Sequence, residues 1–199
     1  MKISAAQVKE LRDETGAGVL EAKNALVDAG GDFEKAITAL RAKGAVKASE
    51  KMEREATEGV IEVYAHPGNR VGVILELNSE TDFVARNEEF HVLAHDLALH
   101  IAAMEPLFVG PDDVPQSMLD DKREEWRALA LAEGKTEEIA ERIVQGRVKK
   151  FYEEKCLLEQ PFVKDDDVKV KDLVSQAVRT FGENVIVRRF ARYQLGDEL

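Results

Sequence analysis

The sequence has a single cysteine, Cys156, among its 199 residues. One thiol excludes an internal disulfide framework and cannot by itself build a cysteine-based metal site, so a buried or idle thiol is the default expectation. No apolar run reaches the roughly 18 to 20 residues that a membrane-spanning helix needs, and Met1-Lys2-Ile3 opens no signal-peptide pattern. We therefore expect a soluble, cytoplasmic protein with no membrane partner.

Positive charge is also scarce. The 28 basic residues are outnumbered by 39 acidic ones, which gives a net charge of -11. Because binding to phosphate backbones requires a basic surface, this balance argues against a general nucleic-acid binder. The length allows a substantial core in one or two domains.

Three short helices are predicted in the first 44 residues. Ser4 followed by Gln7 is typical of a capping box and begins the first helix, which runs to about Glu14 with Val8 and Leu11 on its apolar face. A glycine-containing break precedes the second helix, and Asp32 caps a third that ends at Gly44. A bundle of this size is marginal by itself, so we expect it to depend on a neighbour or a partner.

The rest of the chain predicts an α+β fold. Residues 45–56 indicate a helical connector, because helix formers predominate and Gly and Pro are absent. The domain boundary is expected here, with a helical domain over 1–54 and a core domain over 55–199. The core pattern predicts strands at 58–65, 70–78 and 184–193, and helices at 87–104, 117–133, 136–155 and 170–181. This order favours a three-stranded antiparallel sheet packed with helices.

The junction from Asn78 to Phe90 lies between a predicted strand and a predicted helix. Asn87 can cap that helix. Asp82 and Phe83 are adjacent at the turn, and we expect at least one of the two side chains to face outward, because the two cannot be buried together comfortably. Two interpretations stay open on the pattern alone: Phe83 faces outward as an anchor for a partner, or it closes the core beneath the turn.

Catalytic and metal-binding patterns are weak. Gly16-Ala17-Gly18 lacks the remaining spacing of a nucleotide-binding loop. His91 and His95 lie four apart on one helix, with Asp96 or His100 nearby, but the pattern of a zinc protease is missing. The carboxylates Asp165 to Asp167 lack the spacing of a calcium loop, so we interpret them as solvated loop residues. No serine or cysteine nucleophile motif is visible, and we predict no metal and no cofactor, while the residues alone leave the function open.

Several motifs resemble the elongation factor Ts family. The junction from Asn78 to Asn87 resembles that family's signature. Three further segments are similar to the family in the family's order: the N-terminal helices with Thr15-Gly16-Ala17-Gly18, the run Glu159-Gln160-Pro161-Phe162-Val163, and Arg188-Arg189-Phe190 with Tyr193. The resemblance covers nearly the whole chain.

The resemblance implies a guanine-nucleotide exchange factor whose partner is elongation factor Tu. It also implies that the protein is not an enzyme and has no direct nucleic-acid partner and no small-molecule substrate. Residues 1–54 would form a ubiquitin-associated-like domain that docks on the partner's G domain. The implied exchange loop, which displaces the partner's magnesium site, consists of Thr81, Asp82, Phe83 and Val84. The implied docking residues are Leu11, Arg12, Val19, Leu20 and Lys23.

The chain resembles the short form of the family, which has one core unit, so we also predict a homodimer. At positions 19 and 20 the family frequently has two methionines, and Val19-Leu20 departs from that pattern.

An alternative function is a protein-interaction module that does not promote exchange and whose core is a dimerisation scaffold. A hydrolase built on His91, His95 and the acidic loops ranks third.

Overall fold

The computed structural model describes residues 3–15, 17–52 and 54–197 of the chain. The helices are α1 (Ala5–Thr15), α2 (Val19–Asp28), α3 (Phe33–Met52), α4 (Asp82–Ala85), α5 (Glu88–Met104), α6 (Gln116–Ala132), α7 (Glu137–Lys155) and α8 (Val170–Phe181). The strands are β1 (Glu58–Ala65), β2 (Val71–Ser79), β3 (Pro161–Phe162), β4 (Asp165–Lys169) and β5 (Val185–Gln194). β1, β2 and β5 form one sheet in that order, and β3 pairs with β4 in another.

The described residues fall into two compact units. One comprises Met1–Gly59, Asn78–Ala85 and Val174–Ile186. The other comprises Val60–Leu77, Arg86–Leu173 and Val187–Leu199. The turn that contains Asp82 and Phe83 therefore belongs to the same unit as the N-terminal helices.

The N-terminal helices form as the capping pattern predicts. The Gln7 backbone N–H donates to Ser4 Oγ at 3.2 Å, and the Ser4 backbone N–H donates to Gln7 Oε1 at 3.0 Å. This reciprocal pair satisfies two N–H groups at the start of α1. The core of the bundle consists of Leu11, Ala22, Leu26, Ala36, Ile37 and Leu40.

The predicted end of the third helix at Gly44 is wrong. α3 continues through Gly44 to Met52 and includes most of the predicted helical connector. A glycine inside a helix costs only about 1 kcal/mol relative to alanine. The alanine, lysine and glutamate residues that follow are good helix formers, so they allow the helix to continue through this position.

The predicted antiparallel sheet with packed helices is confirmed. Val73 and Leu75 of β2 are buried while Ile74 between them is exposed, which is the alternation of a strand with one covered face. On α5, the predicted stripe is buried at Phe90 and Leu97. The Arg192 guanidinium of β5 donates to the Ala102 carbonyl of α5 at 3.4 Å, so α5 lies against this face.

α6 and α7 occupy the positions predicted for a pair of helices. A small cluster at their base contains Val114, Leu119, Phe151 and Cys156. The Lys122 ammonium lies 5.4 Å from the Phe151 ring centroid. None of the helices in the described ranges is both long and apolar enough to cross a membrane.

The interpretation of Asp165 to Asp167 as loop residues is wrong. They begin β4, which pairs antiparallel with β3, and Phe162 faces Asp165 in the register. Aspartate is depleted in strands, so the residue types concealed this pairing. The side chains remain exposed on the surface.

Candidate functional site

The strand-to-helix junction contains an additional helical turn. α4 follows β2 after two residues, and its Ala85 N–H donates to the Thr81 carbonyl at 3.2 Å. α5 begins after Asn87, whose side chain accepts from the Glu89 N–H at 2.8 Å. We call residues 81–85 the Phe83 turn. The cap at Asn87 is confirmed, whereas the extra turn was not predicted.

Phe83 points into solvent. Its exposed fraction is 83%, while Val84 and Ala85 beside it are buried. Thr81 and Asp82 are half-buried. The two small apolar neighbours take the inward positions of the turn, and Phe83 is left outside. The interpretation of Phe83 as core filling is therefore excluded. An exposed phenylalanine gives up roughly 1.5–3 kcal/mol of burial that a partner could recover.

Two glutamates anchor the Phe83 turn. Glu183, between α8 and β5, accepts from the Thr81 N–H at 3.0 Å and from the Thr81 hydroxyl at 2.7 Å. In the other direction, Glu80 accepts from the Asn184 N–H at 2.7 Å. The partners Thr81 and Glu183 are 102 residues apart, so no local sequence pattern could pair them.

The same region holds the segment that follows α3. The Asn184 side-chain amide donates to the Arg54 carbonyl at 2.6 Å, and the Asn78 side-chain amide donates to the Ala56 carbonyl at 3.1 Å. Both asparagines are buried. A buried amide is stabilising only when it is hydrogen-bonded, so these contacts fix the local backbone. Glu80 also lies 3.5 Å from the Arg54 guanidinium.

The predicted docking residues separate into a buried one and four exposed ones. Leu11 is completely buried in the helical core, and its side chain reaches no surface. Arg12, Val19, Leu20 and Lys23 are exposed. The structure brings Arg12, Val19 and Lys23 together along a groove, while Leu20, which follows Val19 on α2, is exposed and does not line the groove.

This groove has a volume of about 360 Å³ and lies between α1 and α2. We call it the N-terminal groove. It combines apolar side chains with three cationic ones, and its lining is Ile3, Ala5, Val8, Lys9, Arg12, Val19 and Lys23. Such a lining suits a partner segment that offers apolar side chains flanked by carboxylates. Ile3, Val8 and Lys9 were not among the predicted contacts, although the apolar periodicity had already marked Val8.

The outer face of the three-stranded sheet is a second apolar surface. The Tyr64 ring of β1 packs edge-on against the His95 ring of α5, with 5.3 Å between the ring centroids, so Tyr64 lies on the face of the sheet that α5 covers. The alternate residues Ile61 and Val63 point away from α5, and both are exposed. Ile74 and Tyr193 are exposed on the neighbouring strands. Apolar groups on adjacent strands are typical of an interaction surface.

The candidate metal ligands on α5 are held by different partners. His95 Nδ1 lies 2.9 Å from a Glu62 carboxylate oxygen. His100 is buried, its Nε2 lies 2.9 Å from Gln160 Oε1, and its Nδ1 accepts from the Val163 N–H at 3.1 Å. Burial lowers the pKa of His100, which keeps the ring neutral.

Within the described ranges, the exposed carboxylates Asp165, Asp166 and Asp167 are the one group whose three potential ligand atoms lie within 4.8 Å of one another. No histidine belongs to that group, and its three carboxylates lie on β4 and not on α5.

Cys156 is completely buried at the end of α7. Burial is the largest cause that raises the pKa of its thiol to about 11, and the nearby Glu159 and Asp113 charges raise it further. At neutral pH the group is therefore a protonated thiol, and the nucleophilic thiolate is scarce. The expectation of a buried thiol is confirmed, because Cys156 packs with Val114, Leu119 and Phe151.

Comparison with known proteins gives matches along the whole chain. The family model described as Elongation factor TS matches residues 3–197. A protein named Elongation factor Ts from Carboxydothermus hydrogenoformans is 51% identical over 99% of this chain and 91% of its own length. Proteins of the same name from Syntrophus aciditrophicus and Herpetosiphon aurantiacus are 49% and 52% identical, over 100% and 98% of this chain and 99% of their own lengths in each case.

Proposed function

The chain belongs to the elongation factor Ts family, and we propose that it is a guanine-nucleotide exchange factor that binds elongation factor Tu and promotes GDP release during translation elongation in the cytoplasm. The observation that carries this proposal is the exposure of Phe83 on an anchored turn. A partner must supply the burial that this ring lacks in the free chain.

The Phe83 turn is the proposed exchange loop. Phe83 inserts between elements of the partner near its magnesium and phosphate region, and Asp82 helps to displace the groups that order the magnesium. Thr81 and Val84 hold the loop, because Thr81 is hydrogen-bonded to Glu183 and Val84 is buried. Loss of the charged contacts around the β-phosphate then raises the rate at which GDP leaves.

The N-terminal groove is the proposed docking surface, within a helical domain over residues 1–54. Arg12, Val19 and Lys23 line it, and the exposed Leu20, next to Val19 on α2, is proposed to add an apolar contact with the partner. Leu11 supports the surface from below, since it is buried. The groove provides affinity and the Phe83 turn provides the distortion of the partner.

The mechanism is thermodynamic linkage and involves no covalent step. If the factor binds nucleotide-free elongation factor Tu more tightly than the GDP-bound form, it must weaken GDP binding by the same ratio. Phe83 therefore has to make contacts in the nucleotide-free complex that are absent or strained in the GDP complex.

Titration calorimetry tests this linkage. We expect this protein to bind nucleotide-free elongation factor Tu at least about a hundredfold more tightly than the GDP-bound form, a difference of roughly 2.7 kcal/mol. Equal affinity for the two forms would show that the chain binds without promoting exchange, which is the behaviour of the alternative interaction module.

We further propose that the active species is a homodimer formed through the outer face of the sheet. Ile61, Val63, Ile74 and Tyr193 are exposed there, and an isologous contact would bury two copies of this patch. Val63→Lys places a charge inside such an interface. We expect size-exclusion chromatography with light scattering to give a dimer for the unmodified chain and a monomer for this variant. A monomer in both cases contradicts the proposal.

A further inference from the structure

We propose that Glu183 is a positioning residue that sets the orientation of Phe83, an inference that rests on the proposed exchange function. Glu183 lies in the short connection between α8 and β5, far along the chain from the Phe83 turn. Its carboxylate accepts both hydrogen bonds that Thr81 can donate, at 3.0 Å from the backbone nitrogen and 2.7 Å from the hydroxyl oxygen. It has no contact with the partner in this proposal and acts through Thr81.

Thr81 is the residue through which the turn is fixed. Its carbonyl accepts from the Ala85 N–H at 3.2 Å, which closes α4, and from the buried Ser79 hydroxyl at 3.0 Å. With both donors bound to Glu183, all the polar groups of Thr81 are engaged. A residue held at its N–H, hydroxyl and carbonyl cannot rotate without breaking several hydrogen bonds at once. Phe83 is two residues further on, so its direction follows from that of Thr81.

The connection between β2 and α4 and the connection between α8 and β5 are hydrogen-bonded to each other in both directions. Glu183 reaches the Thr81 N–H, and Glu80, which precedes Thr81, reaches the N–H of Asn184, which follows Glu183. We call these four residues the glutamate clasp. Hydrogen bonds from neutral donors to carboxylates are about twice as strong as those between neutral groups. Because the bond from Thr81 to Glu183 and the bond from Asn184 to Glu80 run in opposite directions, the two connections cannot slide or rotate past each other without breaking one of them.

The glutamate clasp predicts how the kinetics of GDP release change when it is removed. If it presets the direction of Phe83, its loss slows the step in which the ring enters the partner, while docking through the N-terminal groove is retained. The maximal rate of GDP release at saturating factor should fall and the half-saturating concentration should change little. A loss of folded protein has the opposite signature, because it lowers the active concentration and leaves the maximal rate unchanged.

The test measures stopped-flow release of fluorescent GDP from elongation factor Tu against factor concentration. Glu183→Gln keeps one acceptor oxygen and should lower the maximal rate about fivefold, and Glu183→Ala about tenfold, because the ring is still present and only part of the free energy of the lost hydrogen bonds enters the barrier to exchange. Thr81→Val, which removes the hydroxyl, should resemble Glu183→Gln, and Thr81→Ser should retain most of the rate. Unchanged maximal rates in both Glu183 variants would overturn the inference.

Glu138→Gln is the matched control, since it neutralises an exposed, ion-paired glutamate on α7. An equal fall in this variant would also overturn the inference, because it would assign the effect to charge alone.

A second measurement separates this inference from the exchange function. In the free protein, amide hydrogen exchange at Thr81 should be slow and should accelerate at least about tenfold in Glu183→Ala, while the amides of α7 keep their protection. If the unmodified protein fails to accelerate GDP release, the proposed function fails, and this protection pattern still decides whether Glu183 orders the turn. Equal exchange at Thr81 in the two proteins contradicts the positioning role.

Discussion

The Phe83 turn and the N-terminal groove both present apolar side chains to solvent, but they are built differently. At the turn, one aromatic ring is exposed on a segment that Glu183 holds through Thr81 and that Glu80, which precedes it, connects to Asn184. The groove has a volume of about 360 Å³, and it is lined by several aliphatic side chains together with Lys9, Arg12 and Lys23.

A single fixed ring is suited to displacing parts of a partner, whereas a broad groove with cationic sides is suited to docking. The comparison therefore separates the rate of exchange, which should depend on the turn, from the affinity, which should depend on the groove.

Phe83→Ala should produce the largest effect. We expect the maximal rate of GDP release to fall at least about 30-fold, the equivalent of roughly 2 kcal/mol for a central aromatic contact. Stopped-flow release at saturating factor measures this rate. Thermal unfolding should be unchanged, because the ring is exposed and contributes little to the core.

Leu107→Ala provides the control for Phe83→Ala. Leu107 is also an exposed apolar side chain, and it lies in neither region. A similar fall in both variants would show that the rate does not depend on the turn.

The double substitution Val19→Ser with Leu20→Ser tests the groove. We expect the half-saturating concentration to rise about tenfold, since two apolar side chains lose roughly 1.4 kcal/mol or more of burial on docking. The maximal rate should remain close to that of the unmodified protein. Val27→Ser is the matched control, because Val27 is exposed on the same helix and lies outside the groove lining. A reduced maximal rate with unchanged half-saturation would reverse the assignment of the two regions.

Lys23→Gln should have a smaller effect of the same kind. An exposed charge contributes less than about 1 kcal/mol, so we expect the half-saturating concentration to rise about threefold at low salt. The difference should disappear as the salt concentration rises, because salt screens exposed charges. Lys35→Gln on α3 removes another exposed cation, which lies outside the groove lining, and should have no effect. Persistence of the Lys23 effect at high salt would point to lost packing in place of lost charge.

The smallest effect on exchange is expected from His100, which lies in neither region. Its pKa is lowered in the folded chain by burial, so the unfolded chain binds the proton more readily. The free energy of unfolding should therefore be highest above the unfolded pKa of about 6.5 and should fall as the pH drops below it, by at most about 1.4 kcal/mol per pH unit for one proton.

Chemical denaturation across this range, with His100→Gln for comparison, measures the contribution. Parallel curves for the two proteins would exclude His100 as its source. While the protein stays folded, the rate and the half-saturating concentration should both be unaffected.

Local patterns predicted much of the fold and less of the site. The stripe on α5 and the capping residues Ser4 and Asn87 were readable, because each depends on neighbours within one or two turns. The end of α3 was not, since one glycine cannot stop a helix when good helix formers follow. β4 was missed because its strand pairing overrides the low strand preference of three aspartates.

Leu11 and Glu183 show the limits of the two sources of prediction. The apolar period placed Leu11 on the apolar face of the first helix, and the resemblance named it as a contact with the partner. The structure buries it. Glu183 carried no signal at all, since its contact with Thr81 joins residues 102 positions apart. The exposed residue was predictable from family likeness, but the group that orients it was visible only in three dimensions.

The most direct test of the central claim is the release of fluorescent GDP from elongation factor Tu at increasing concentrations of the unmodified protein. We predict that the rate of GDP release rises steeply with factor concentration and then saturates. Saturation is expected because GDP leaves from a ternary complex of the factor, elongation factor Tu and GDP, and all of the elongation factor Tu is in that complex at high factor concentration. A rate that stays at the intrinsic value of elongation factor Tu across the whole titration would contradict the account.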